Sequence, residues 1–210
     1  MSVYAVIPVK VLFKSKSRLS IVLSPEERRT LTLTMLEDVL KALKSSVVQQ
    51  IGVISSDLTV QTLVDKFEVA YLPESQKGLN RAVEQAEEWC IQNDAESVLV
   101  LPADVPLISP GDIDRIVKLS SEATCVVIAP SQNGGTNALL QRPPKLIPAR
   151  FGPHSFMKHV REALAKGVSA KFYHSQRIAL DVDSFEDLKS FLQVDSQTVS
   201  RRFLERIRLC

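Results

Sequence analysis

The sequence predicts an α/β fold: one layered domain built on a mostly parallel sheet with helices on both faces. Two observations carry this. Short apolar runs alternate with capped, amphipathic helical stretches over most of the chain. The runs are also apolar throughout rather than at every second position, as in Ser97–Leu101, which is how strands buried on both faces read. At 210 residues the chain suits a single domain, one that buries about 70% of its unfolded surface.

Taken in order, Tyr4–Val9 is a β-branched apolar run, and Pro8 closes its ladder because proline offers no N–H. Ser24-Pro25-Glu26-Glu27 is a helix start: serine caps, proline takes the first helical position and Glu27 completes a capping box. The spacing of Leu36, Val39, Leu40 and Leu43 carries that helix to about Lys44. A strand at Gln50–Ser55, a short helix with Leu58, Leu63 and Val64, and a strand near Val69–Leu72 follow. Then come a helix over Leu79–Gln92, the strand Ser97–Leu101, a helix from Ser109-Pro110 to about Leu119 and a strand over Thr124–Ala129. Beyond Pro130 the rhythm loosens into loops around Gly134-Gly135 and Pro143-Pro144, a helix from Ser155, and a capped closing helix over Ser184–Val194. The domain is expected to span 1–194, with 195–210 as a helical tail decorated by Arg201, Arg202, Arg206 and Arg208.

Composition narrows the function. A net charge of +2 argues against bulk attraction to nucleic acid or membrane, so any role for charge must be local. Cys90, Cys125 and Cys210 lack metal-type spacing and fit a reducing cytosol, with Cys90 and Cys125 reading as small core residues. No signal peptide and no membrane-length apolar run is visible, so a cytoplasmic location is expected.

The charge that matters is at the start. Lys10, Lys14, Lys16 and Arg18 follow the first strand, and no carboxylate precedes Glu26. A cationic loop at the carboxyl end of a parallel strand is where open α/β sheets bind anions, although a solvated basic loop reads the same way. Asp104, in Leu101-Pro102-Ala103-Asp104-Val105-Pro106, is either a hard-cation ligand or an aspartate in a stiff turn. Asp181 and Asp183 are a pair of acids spaced by two, of which one is expected to face a site shared with Asp104. Asp183 is the choice, with helix-end chemistry as its alternative. Gly78 and Asn80 stand either at a nucleoside site or at an ordinary helix start. Asn133-Gly134-Gly135-Thr136-Asn137 reads as an anion nest or as a hairpin turn. In Phe151-Gly152-Pro153-His154-Ser155, serine would cap the next helix, and its hydroxyl with the Gly152 N–H would suit a phosphate. Eight Lys/Arg face one acid, Glu162, between Ser131 and Leu180, which favours an anionic ligand there. His154, His159 and His174 show no metal spacing and read as surface or supporting groups.

Together these motifs resemble the 2-phospho-L-lactate guanylyltransferase family. They are Ile7-Pro8-Val9-Lys10, Lys16-Ser17-Arg18-Leu19, Gly78-Leu79-Asn80, Leu101–Pro106, Gly134–Asn137, Phe151–Phe156 and Leu180–Asp183. They span Val6 to about Leu192, leaving Gln193–Cys210 outside. The chain also resembles the wider nucleotidyltransferases, among them the molybdopterin guanylyltransferases, but lacks their glycine-rich opening. The resemblance implies a three-layer α/β/α sandwich with a Rossmann-like sheet of the nucleotide-diphospho-sugar transferase type. It implies transfer of GMP from GTP to 2-phospho-L-lactate, releasing pyrophosphate and giving lactyl-2-diphospho-5'-guanosine in coenzyme F-420 assembly.

On that reading Asp104 and Asp183 hold Mg²⁺, Lys10, Lys16 and Arg18 clamp the triphosphate with Lys16 also catalytic, and Gly78 and Asn80 place the nucleoside. Thr136, Gly152 and Ser155 hold the acceptor's phosphate. No general base is required, because the attacking phosphate is already ionised at neutral pH. Phosphoenolpyruvate or another phosphorylated acceptor is the nearest alternative, and a non-catalytic nucleotide-binding module the more distant one. A homodimer is expected on general frequency.

Overall fold

The end of β1 (Val3–Pro8) is the point around which the chain is laid out. The computed structural model describes residues 2–12 and 16–209. Along β1, Ala5 and Ile7 point to one face of the sheet and Tyr4 and Val6 to the other, all of them buried. β2 (Gln50–Ser55) and β4 (Ser97–Val100) flank β1 in parallel, and β3 (Ala70–Pro73) extends β2 in parallel. β5 (Cys125–Pro130) and β6 (Thr136–Arg142) form an antiparallel hairpin, with β6 inserted against β4 and β7 (Ser169–Phe172) parallel to β5. The sheet therefore runs β3-β2-β1-β4-β6-β5-β7, with β6 reversed. That reversal brings the start of β6, and the turn before it, to the edge where β1 and β4 end.

Helices cover both faces, as expected for strands without a polar side. α1 (Pro25–Lys44), α2 (Leu58–Lys66) and α4 (Pro110–Leu119) bury Leu36, Val39, Leu40, Val60, Val64, Ile113 and Ile116 against one face. α3 (Leu79–Gln92) and α5 (Ser155–Ala165) bury Ala82, Val83, Ala86 and Ala163 against the other. The predicted capping box at Ser24 is formed, with Glu27 N–H donating to Ser24 Oγ and Ser24 N–H to Glu27 Oε2. Ser109 and Ser184 cap α4 and α7 (Phe185–Gln193) in the same way, through Asp112 and Asp187. Cys90 and Cys125 are buried, as read. No helix among the described residues is long and apolar enough to cross a membrane.

Two strands escaped the sequence pattern. β6 carries Asn137 and Gln141 within its apolar run, and both are buried because both are paired. Asn137 Nδ2 donates to the Ile178 carbonyl at 2.8 Å; Gln141 Nε2 donates to Glu87 Oε1 at 2.6 Å, and Gln141 Oε1 accepts from Ile147 N at 2.7 Å. β7 is a four-residue edge strand with no fully buried residue, so no apolar run announces it. The short helix α6 (Gln176–Ala179) follows it. The buried Asp112 carboxylate fixes this connection to α4, accepting from Tyr173 Oη, Ser175 Oγ and the Arg177 guanidinium at 2.7–3.0 Å.

A third apolar cluster lies apart from the two sheet faces. It gathers Leu19, Leu31, Met35, Leu107, Leu180, Val182, Phe191, Phe203 and Leu204. The last two belong to α8 (Val199–Arg206), so the segment expected as a tail is a helix packed on α1. Its amino end is gripped by the buried Asp38 of α1, which accepts from the N–H groups of Val199 and Ser200 and from Ser200 Oγ. Arg201 pairs with Glu205 within α8. Replacing the fully buried Leu204 by alanine is expected to destabilise the protein by about 2–5 kcal/mol, measured by urea unfolding. A cost below about 1 kcal/mol would mean that α8 is a dispensable appendage.

Candidate active site

The chain leaves β1 with Val9 N–H donating to the Ile54 carbonyl at 2.9 Å, and Lys10 is the first exposed residue beyond it. Leu12 then turns inward, its N–H donating to Asp57 Oδ2 at 3.0 Å while Asp57 Oδ1 caps α2 through Thr59 N–H. Lys14 lies outside the described residues. Lys16 takes a left-handed conformation, φ 52°, which costs an L-residue about 1–2 kcal/mol. A 3-10 turn over Ser17–Leu19 follows, and the fully buried Leu19 anchors it. That anchoring holds the strained backbone and aims the lysine inward.

The Lys16 side chain is 5% exposed, with Nζ 2.5 Å from Asp104 Oδ2 and 2.5 Å from Asp183 Oδ1. Asp104 sits in the proline-flanked turn after β4, and its carbonyl accepts from Val182 N–H at 2.9 Å. That backbone bond places Asp183 beside Asp104. The spacing itself does not separate the two acids, since residues two apart in extended chain share a face. The backbone at 181–183 is not strand, and there Asp183 turns to Lys16 while Asp181 turns to Asn137 Nδ2 at 3.0 Å.

The electrostatics follow from this packing. Burial pulls the Lys16 ammonium down, but the charges of Asp104 and Asp183 and the hydrogen bonds to them leave it raised. Burial pushes Asp183 up, yet Lys16, with Lys10 and Arg18 behind it, holds its carboxyl below the usual range. Asp181 goes the other way: burial raises it, the Asn137 hydrogen bond opposes, and the charges of Asp104 and Asp183 add to the rise. Lys10, Lys16, Arg18, Asp104 and Asp183 line one cleft of about 270 Å³, with Leu79 and Phe151 as apolar wall. Lys10 and Arg18 have no ion pair among the described residues, so their charge is available to an anion.

The remaining predicted residues stand around the loop at 150–155. Gly78, φ 122°, and Gly152, φ 120°, both occupy backbone that favours glycine. Asn80 does not open into the cleft. Its Oδ1 accepts from Phe151 N–H at 2.8 Å and its Nδ2 donates to the Phe151 carbonyl at 3.3 Å, pinning the loop to α3. The glycine turn is the hairpin between β5 and β6, with Gly135 N–H donating to Ser131 Oγ at 2.8 Å. Ser155 is not the cap of α5. His154 takes that place with φ 57°, leaving Ser155 as the first helical residue, buried and with no hydrogen bond to its hydroxyl among the described residues. Thr136 is buried, its Oγ1 2.9 Å from His159 Nδ1.

His159 is the residue the sequence undervalued. It is fully buried, and its Nε2 accepts from Arg150 N–H at 3.0 Å. Its spacing of four from both Ser155 and Ala163 marks the inner face of α5, a signal the sequence does contain.

The scan of known families matches residues 3–210 to the family described as "Guanylyl transferase CofC like". The chain belongs to the CofC guanylyltransferase family. It is a nucleotidyltransferase, and the match takes in the packed helix α8. Among curated CofC-like relatives, the phosphoenolpyruvate guanylyltransferase of Rubrobacter xylanophilus is 42% identical, over 90% of this chain and 92% of its own. The 2-phospho-L-lactate guanylyltransferase of Methanothermobacter thermautotrophicus is 38% identical, over 99% and 92%. Among solved structures, a Desulfovibrio desulfuricans protein assigned to the nucleotide-diphospho-sugar transferases superposes with a TM-score of 0.79 at 15% identity, covering 100% of this chain and 96% of its own. A nucleotidyl transferase from Methanothermobacter thermautotrophicus gives 0.70 at 15%, covering 98% and 99%. These two show that the CofC chain has the nucleotide-diphospho-sugar transferase fold expected from sequence.

The buried His159 gives this member a pH signature. Burial pushes its imidazole down to about 4; Glu162 opposes this, and Lys158 and Arg150 add to it. The unfolded chain, with histidine near 6.5, takes up the proton first as pH falls. The contribution is therefore complete above pH about 6.5 and lost toward pH about 4, a difference of about 3 kcal/mol. In urea unfolding at pH 7 and pH 5, His159→Gln should show a smaller loss than the wild type. Equal losses would mean that His159 already carries its charge in the fold.

Proposed function

We propose that this protein transfers GMP from GTP to 2-phospho-L-lactate, releasing pyrophosphate and giving lactyl-2-diphospho-5'-guanosine, a step in coenzyme F-420 assembly. The observation that carries this is the meeting of Lys16, Asp104 and Asp183 in the cleft behind β1, with Lys10 and Arg18 on its rim. Within a guanylyltransferase family, such a cleft suits two polyanions that must react with each other. An oxygen of the acceptor's phosphate attacks the α-phosphorus of GTP, forming a new P–O bond. The bond to the β-phosphate oxygen breaks in line, and its electron pair leaves with pyrophosphate. Lys10, Lys16 and Arg18 meet the leaving pyrophosphate, where negative charge grows. No side chain has to remove a proton, since the attacking phosphate oxygen is already anionic.

The two acids suit Mg²⁺. Their oxygens already converge on one cationic nitrogen, and hard carboxylate donors are what Mg²⁺ takes. No set of three His, Cys, Asp or Glu with metal-holding geometry occurs among the described residues, so phosphate oxygens and water would complete the shell. Bound there, the ion supplies charge neutralisation of the phosphates during transfer. The Lys16 ammonium and a divalent cation compete for one position between the acids. Lys16→Met should therefore bind Mn²⁺ more tightly than the wild type when no nucleotide is present, as read by calorimetry. Equal affinity would mean that the ion binds elsewhere.

Phosphoenolpyruvate is the second reading, favoured by the name and 42% identity of the Rubrobacter relative. The deciding assay offers each nucleoside triphosphate with Mg²⁺ and each acid, and measures pyrophosphate. Release with GTP and 2-phospho-L-lactate supports the first reading, and release with phosphoenolpyruvate alone supports the second. Asp104→Asn is expected to abolish release while leaving the circular dichroism and melting curve intact. Full turnover by that variant would remove Asp104 from the site.

A further inference from the structure

The reversed strand β6 begins with Thr136 at the same edge as Asp104 and the loop at 150–155. Thr136 Oγ1 is 2.9 Å from His159 Nδ1, and Arg150 N–H donates to His159 Nε2 at 3.0 Å. The second contact fixes the chemistry of the first. A backbone N–H needs a lone pair to receive it, so Nε2 carries no proton, and a neutral imidazole then carries its proton on Nδ1. Thr136 Oγ1 is thus the acceptor in its contact with the ring, and its own O–H remains to be given elsewhere. An anionic phosphate oxygen is the partner such a donor suits.

The same ring governs the loop. It meets Phe151 edge-on, with centroids 4.9 Å apart at 68°. Asn80 holds both backbone groups of Phe151, and the Gly152 carbonyl accepts from Ser155 N–H at 3.1 Å. The backbone is therefore held at Arg150, Phe151, Gly152 and Ser155. Ser155 brings to that loop a hydroxyl that is not used in capping.

We propose that His159 is the positioning residue of the acceptor subsite, orienting the Thr136 hydroxyl with one ring nitrogen and fixing the backbone at Arg150, where the loop to Ser155 begins, with the other. The ligand class is a small phosphorylated acid, so this inference rests on the functional reading given above. Fully buried, His159 does not touch substrate. It acts through Thr136 and the loop.

The test uses His159→Leu, His159→Asn, His159→Gln and Thr136→Val, with KM for GTP and for the phosphorylated acid measured separately by pyrophosphate release. His159→Leu should raise the acceptor KM about 10–100-fold, with the GTP KM and kcat little changed. Asparagine places an amide N–H near the position of Nδ1 and glutamine an amide oxygen near that of Nε2, so each should recover part of the loss. Thr136→Val should raise the acceptor KM alone, and His159→Leu added to it should cost less than His159→Leu does in the wild type. An unchanged acceptor KM overturns the inference, as does a joint rise of both KM values that neither asparagine nor glutamine relieves. If His159→Leu does not fold, Thr136→Val and His159→Gln carry the same comparison. A wild type that releases pyrophosphate with neither acid overturns the functional reading, and this inference with it.

Discussion

One ammonium between two carboxylates fixes the geometry of this site. Each of the two oxygens is 2.5 Å from Lys16 Nζ, so they stand at most 2.5 + 2.5, about 5 Å, apart. At that separation two negative charges repel by about 3 kcal/mol at an effective dielectric of about 20. Solvent reduces this, since the Asp183 side chain is 49% exposed. Without a cation the two segments bearing the acids would be pushed apart. The partners of Lys16 lie 88 and 167 residues along the chain, so the interaction exists only because the sheet ends there. β1 and β4 are adjacent and parallel, and the Val182–Asp104 backbone bond brings in the third segment.

Beneath that triad lies the third apolar cluster. Leu19 follows Lys16, Leu107 follows Asp104, and Leu180 and Val182 precede Asp183, so every charged member has a greasy neighbour rooted in the same place. The two sheet-face cores make the domain, whereas this third one sets the distance between its functional charges. The left-handed backbone at Lys16 is tolerated because Leu19 has a place to bury itself there.

The sequence made legible whatever was local. Parallel strands showed as continuous apolar runs, and α1, α4 and α7 declared their starts through serine capping boxes. Alternation could not separate Asp183 from Asp181, because residues two apart share a face in extended chain; the irregular backbone after α6 is what sends them to different partners. What escaped depended on partners far away in the chain. β6 hid behind Asn137 and Gln141, whose burial makes sense only once Ile178 and Glu87 are beside them. Asn80 looked free to read a nucleoside because nothing in the sequence says that Phe151 will occupy both ends of its amide. The cap of α5 fell one residue earlier than read, since His154 adopts backbone that glycine or asparagine would normally take. The terminal arginines looked like decoration, yet Arg201 donates to the Leu192 and Val194 carbonyls while its neighbours Phe203 and Leu204 bury themselves in the third cluster.

The cover of the third cluster has its own meaning for heat. Part of its lid is α8, eight residues long, held on α1 by Phe203, Leu204 and the Asp38 grip and tied to the end of α7 by Arg201. Short elements with small contact areas open at lower free energy than central strands do. Inactivation on warming would thus precede melting of the sheet, with the charged groups drifting out of register inside a protein whose secondary structure still reads as native.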